Sequence, residues 1–273
     1  MQIGIFAKTF DGADPKSVLA VAATTGYATV QYNMACSGLP SLPVHVTTEQ
    51  VNAIKSAVEF SGVSICALSA TYNMVRPDIE VRNRGLASLE VLAGVAQNLK
   101  VKLLTLCTGS RNPEDQWAYH VDNQKPQAWA DLRVALEKAL VVAEAHDLYL
   151  GIEPEHGNVV NSAIAAKQLI AELGSSRLKV IIDPANLVST EPAPEQKTIV
   201  ANAIEKVAGH IVLAHAKDRN SQGEVVAAGQ GVIDFPHFIS QLKSVGYDGP
   251  LVTHGLAASE ASSVRTFLEG IVK

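Results

Sequence analysis

The chain has 273 residues, 47% of them hydrophobic and 18% charged, with a mean hydropathy of +0.14. That much apolar surface excludes a disordered or extended charged chain, and the length fits one large domain, 1–273, of the size that barrels form. Twenty-two Lys and Arg against 27 Asp and Glu leave a net charge of −5. No basic face for a phosphate backbone is expected, so no nucleic acid partner is expected.

Lys8, Asp11 and Asp14 break the opening segment, which therefore lacks the basic start and unbroken apolar core of a secretory signal. No run of about 18 uncharged apolar residues occurs, so no membrane partner is expected. A soluble, cytoplasmic chain follows. Cys36, Cys66 and Cys107 are odd in number and far apart, each in or beside an apolar run, and read as buried thiols.

In chain order, the first strand-like run is Gln2–Ala7. Asp14 followed by Pro15, an N-cap and a proline at the first helical position, opens a helix over 15–27. The second strand is Ala28–Tyr32, and Thr47 or Thr48 with Glu49 and Gln50 starts a helix over 47–61. The third strand, Val63–Ser69, precedes a helix over 79–99, and the fourth is Lys102–Cys107.

An unusually long connection, 108–125, carries Arg111, Asp115, Trp117, His120 and Asp122 before a helix over 126–146. Long connections of this kind in compact domains are usually functional loops. Strands at Tyr149–Glu153, Leu178–Asp183, Ile211–His215 and Pro250–His254 then alternate with helices near 161–174, 195–207, 234–245 and 258–271. Gly26, Gly62, Gly174 and Gly246 fall just past helices, where a left-handed residue is wanted.

Eight strands alternating with eight helices predict an α/β fold, a single (β/α)8 TIM barrel. A doubly wound open sheet would carry a Gly-rich phosphate turn after its first strand, whereas Ala7 to Gly12 reads AKTFDG.

Glu153, Asp183, His215 and His254 end or nearly end four consecutive strands, spaced 30, 32 and 39 residues apart. One βα unit of a barrel takes about 30 residues, so the four converge at its C-terminal face. Two carboxylates with two imidazoles form a hard, mixed oxygen and nitrogen set that suits one divalent ion, Mn2+ first, with Mg2+, Co2+ or Zn2+ as alternatives. Taken singly, each residue could equally cap a helix or pair with a cation.

Together with these strand ends, the strings His215-Ala216-Lys217-Asp218 and Gly229-Gln230-Gly231-Val232-Ile233-Asp234-Phe235 resemble the xylose isomerase-like TIM barrels, the sugar phosphate isomerase/epimerase family. The resemblance runs from Ile3 to Leu251. It implies that Glu153, Asp183 and His215 ligate the metal and that Glu153 moves a proton. His254 stands where the family has Glu, so it is expected as ligand, acid/base group or both.

Among the neighbours, Lys8 is expected to face the mouth, and Asn186 stands where several relatives hold substrate with His. Glu155 and His156 either contact substrate or cap the next helix. Trp117 either stacks on a sugar or anchors its loop, and Lys217, with Asp218, either lies by substrate or forms a surface ion pair. The resemblance implies a divalent-metal-dependent sugar or keto-sugar isomerase/epimerase acting through an enediolate, on a small carbohydrate, as a homo-oligomer (dimer or tetramer). No phosphate-binding loop follows strands seven and eight, which favours an unphosphorylated substrate.

The rival enzyme is a lyase or dehydratase on a keto-sugar or 3-keto-glycoside. A non-catalytic sugar-binding barrel and an abasic-site endonuclease stand behind both.

Overall fold

Short apolar runs cannot bury both faces alone, and here parallel pairing closes them into a ring. The computed structural model describes residues 1–188 and 191–273. Its barrel strands are β1 (Ile3–Phe6), β2 (Thr29–Tyr32), β3 (Ser64–Ser69), β4 (Leu103–Cys107), β5 (Tyr149–Glu153), β6 (Leu178–Ile182), β7 (Ile211–Ala216) and β10 (Leu251–Thr253). They pair in order, and β10 closes on β1 through Ile3 to Leu251 and Ile5 to Thr253.

The helices are α1 (Pro15–Thr24), α2 (Thr48–Ser61), α3 (Ile79–Leu99), α4 (Pro126–Ala145), α5 (Ala163–Leu173), α6 (Ala193–Val207), α7 (Phe235–Ser244) and α8 (Ala261–Val272). Asp14 caps α1 by accepting from the Ser17 N–H, and Thr47 with Gln50 forms a reciprocal capping box on α2. Gly62 and Gly174 close α2 and α5 at φ 71° and 63°. The expected (β/α)8 barrel is the observed fold.

Differences from the expected boundaries are small and have local causes. Helix α6 begins two residues early, because Pro194 is at home in a first turn. Helix α8 begins at Ala261, since 258–260 wind as a 3-10 turn. A two-stranded antiparallel ribbon, β8 (Asp218–Arg219) with β9 (Val225–Val226), extends the chain beyond β7 and was not expected. No helix among the described residues is long and apolar enough to cross a membrane.

Strand alternation sorts the interior into layers. Ala67, Leu103, Ile181, Leu213 and Val252 plug the barrel axis. Gly151 makes room there, as a Cβ on it would stand 2.9 Å from Ile181 Cγ1. Two residues further along each strand the inward side chains are Phe6, Gln31, Ser69, Thr105, Glu153, Asp183, His215 and His254. This upper ring is the floor of the site.

Candidate metal centre

Each of the four converging side chains leaves its strand where the pleat turns it inward. Glu153 is the last residue of β5 and His215 lies within β7. Asp183 directly follows β6, where its Oδ1 also accepts from the Ala185 N–H at 2.9 Å and so caps a short turn. His254, the expected end of its strand, directly follows β10, which stops one residue earlier at Thr253.

One ligating atom from each of the four lies within 4.8 Å of all the others, a grouping able to hold a metal ion. His215 Nδ1 is 3.2 Å from Glu153 Oε1, His254 Nε2 is 3.2 Å from Asp183 Oδ2, and the two rings meet edge to face with centroids 4.6 Å apart.

The surroundings fix these groups. Lys217, buried, is 3.2 Å from Asp183 Oδ2 and donates to Asn186 Oδ1 at 2.7 Å. Asn186 Nδ2 in turn donates to Glu153 Oε1 at 2.8 Å. Burial opposes ionisation of Asp183, but the Lys217 ammonium and the His254 hydrogen bond outweigh it and hold the carboxyl well below the usual range. Burial likewise opposes ionisation of Glu153, and the charge and hydrogen bond of His215 bring it below the ordinary value. Burial and the nearby Glu153 charge push Glu155 up to about 8. Burial lowers His254, whose side chain keeps 23% of its accessibility.

Above the floor opens a cavity of about 640 Å3 at the C-terminal mouth. Lys8, Trp117, Glu155, Asn186 and Lys217 all line it, so every expected substrate-side residue reaches the mouth. Lys8 does so from a short 3-10 turn beyond β1 and is exposed. Trp117 is 47% exposed at the rim, on the long 108–125 loop. Lys217 is an interior group, not the surface ion-pair partner that was its other reading. Neither Glu155 nor His156 caps α5, because Ser162 does, accepting from the Ala165 N–H.

Asp218 departs from expectation. Alternation turns it away from the mouth, and its carboxylate accepts from the backbone N–H groups of Arg219, Gly229, Gly231 and Ile233. It pins the 229–234 loop and does not face substrate. Cys36 and Cys107 are buried and Cys66 half-buried; burial pushes the thiols of Cys36 and Cys66 up to about 11 and holds that of Cys107 well above its ordinary value, against a nucleophilic role. His146 bonds to Gln97, His210 to Lys167 and His237 to the Lys197 carbonyl, all away from the centre.

Sequence reasoning passed over Gln31, Asn33, Ser69, Thr71 and Thr105, which line the opposite side of the same cavity. Their signal was a polar residue recurring at alternate positions near the ends of β2 to β4.

Residues 19–266 match the profile of the xylose isomerase-like TIM barrels. The chain belongs to that family. No curated protein sequence matches it. In fold this family member is similar to D-psicose 3-epimerase from Clostridium cellulolyticum H10, solved with D-tagatose, at 16% identity, TM-score 0.78 and 100% coverage of both chains. It is equally similar to 3-keto-D-glucoside 4-epimerase from E. coli in its apo form, at 15% identity, TM-score 0.78 and 99% coverage of each. L-ribulose 3-epimerase aligns at 17% identity and TM-score 0.78, with 100% of this chain and 95% of that one covered. At these identities the likeness is one of fold.

Proposed function

We propose that this barrel is a divalent-metal-dependent isomerase or epimerase of a sugar or keto-sugar, unphosphorylated. One observation carries the reading: two carboxylates and two imidazoles bring one ligating atom each within 4.8 Å at the floor of a polar, sugar-sized cavity. That donor set fits a first-row divalent ion, and its two nitrogens favour Mn2+ over Mg2+. When bound, such an ion supplies a Lewis acid that polarises a carbonyl and acidifies the adjacent carbon.

Glu153, Asp183, His215 and His254 would hold the ion. Among the described residues both hydrogen bonds to Glu153 fall on Oε1, which leaves Oε2 to take the proton from the substrate carbon. His254, partly open to the cavity, is the group placed to return a proton from the other side of the centre. Asn186 orients Glu153 and Lys217 together, while Lys217, Glu155, Lys8 and Trp117 offer donors, an acceptor and an aromatic face to sugar hydroxyls.

A second reading is supported by His254 standing where a second carboxylate would make a symmetric proton-transfer pair. With one carboxylate base, proton removal from the same carbon followed by loss of a β-substituent gives a lyase. One experiment tests both: the Mn2+-loaded protein is incubated with ketohexoses and 3-keto-glycosides in D2O. Deuterium at the carbon next to the carbonyl, with an epimer or isomer as product, supports the first reading, and an eliminated product supports the second. Glu153→Gln is expected to slow either by about 10²–10⁴-fold. Full activity in Glu153→Gln would remove Glu153 from the chemistry, and full activity after exhaustive chelation would remove the metal.

A further inference from the structure

Gln31 reaches the centre from the far side of the barrel. It projects inward from β2 and is buried at 7% exposure. Its Oε1 lies 2.9 Å from His215 Nε2, while its Nε2 donates to Ser69 Oγ at 3.2 Å and to Thr105 Oγ1 at 3.4 Å. One amide thus ties β2, β3 and β4 to the imidazole on β7.

A neutral imidazole carries one proton, and the partner of one ring nitrogen decides what the other presents. A carbonyl oxygen can only accept, so His215 Nε2 must donate to it. Nδ1 faces the centre, 3.2 Å from Glu153 Oε1, an acceptor to which it donates until a bound ion displaces that proton and takes the lone pair. His254 is arranged the other way round, with Nε2 toward Asp183 and no hydrogen-bond partner for Nδ1 among the described residues. Of the two imidazoles, His215 alone is held from behind.

We propose that Gln31 is the positioning residue that fixes His215 with its proton on Nε2, and so makes Nδ1 the metal donor. The hold of Gln31 on Nε2 stands on the geometry alone, whereas its consequence for metal rests on the metal-centre reading above. Partners of this kind keep a ligating ring in orientation and tautomer, and removing one weakens metal binding by about 10–100-fold.

The test uses two-bond 1H–15N spectra of histidine-labelled, Zn2+-loaded protein, in which the ion takes the place of the Nδ1 proton. His215 is assigned with His215→Gln. Zn2+ affinity is measured alongside, by competition with a chromophoric chelator, for wild type, Gln31→Leu and Gln31→Glu. The expected result is a proton on His215 Nε2 in wild type and Gln31→Glu, and loss of that fixed pattern in Gln31→Leu. Zn2+ binding should weaken about 10–100-fold in Gln31→Leu and recover in Gln31→Glu.

A wild-type proton on Nδ1 with Nε2 bare, or a Gln31→Leu protein that keeps both the tautomer and the Zn2+ affinity, overturns the proposal. Wild type that takes up no Zn2+ overturns the metal-centre reading instead, and metal-free spectra with an Nε2 proton in wild type that Gln31→Leu loses then uphold the positioning role. If Gln31→Leu does not fold, Gln31→Met removes the carbonyl at similar length and carries the same comparison.

Discussion

At one height in the barrel, β5, β6, β7 and β10 send Glu153, Asp183, His215 and His254 toward the axis, whereas β1 to β4 send Phe6, Gln31, Ser69 and Thr105. The two halves share a backbone plan and a depth, and differ in whether their side chains can carry charge. A charged half can hold a cation and move protons. A neutral half can only donate and accept hydrogen bonds, so it keeps the imidazole in place and offers hydroxyl-compatible groups without competing for the ion.

Removing charge from the first half should produce the largest effect. Asp183→Asn takes away the carboxylate that neutralises the buried Lys217 ammonium. Leaving such a charge unpaired costs about 3–5 kcal/mol, to be read as a lower urea midpoint together with loss of bound metal. Adding Lys217→Met should recover much of the stability and none of the metal, which separates the fold's need for the pair from the ion's need for the oxygen.

A medium effect is expected in the roof over the charged half. A Cβ on Gly157 would stand 2.0 Å from the Trp117 carbonyl oxygen. Gly157→Ala should cost about 1–3 kcal/mol by overpacking and raise KM more than it lowers kcat, as thermal unfolding and steady-state kinetics would show. The smallest effect belongs to the neutral half. Ser69→Ala with Thr105→Val removes both acceptors of the Gln31 amide, at about 0.5–1.5 kcal/mol per bond. A loss as large as that of Asp183→Asn would mean that the halves are not distinct.

The same contrast explains what was legible in the sequence. Glu153, Asp183, His215 and His254 stood out because charged or ionisable groups at the ends of apolar strands need a reason to be there, and the barrel rhythm supplied their convergence. Gln31, Ser69 and Thr105 did not, since an amide or hydroxyl in a strand looks like the ordinary polar face of any half-buried sheet. Asp218 misled by adjacency: it follows Lys217 in the chain, but the pleat sends neighbours to opposite faces, Lys217 inward and Asp218 into its own loop. The β8–β9 ribbon was invisible because two residues per strand carry no periodicity, and Asp218 closes its loop through backbone N–H groups that no side-chain pattern reveals.

The roof has a further implication for anyone wishing to redirect this barrel. The connection after β4 and the one after β5 are laced together: Gly109 N–H donates to Asn158 Oδ1 at 2.7 Å, Asn123 Nδ2 to the Gly157 carbonyl at 2.8 Å, Val160 N–H to Thr108 Oγ1 at 3.1 Å, and Asn158 Nδ2 to the Gln116 carbonyl at 3.2 Å. Trp117 and Glu155 therefore ride on one cartridge. A foreign 108–125 loop grafted by itself would meet orphaned amides at Asn158 and Val160, whereas transplanting 108–125 with 154–160 moves an intact unit onto the unchanged floor.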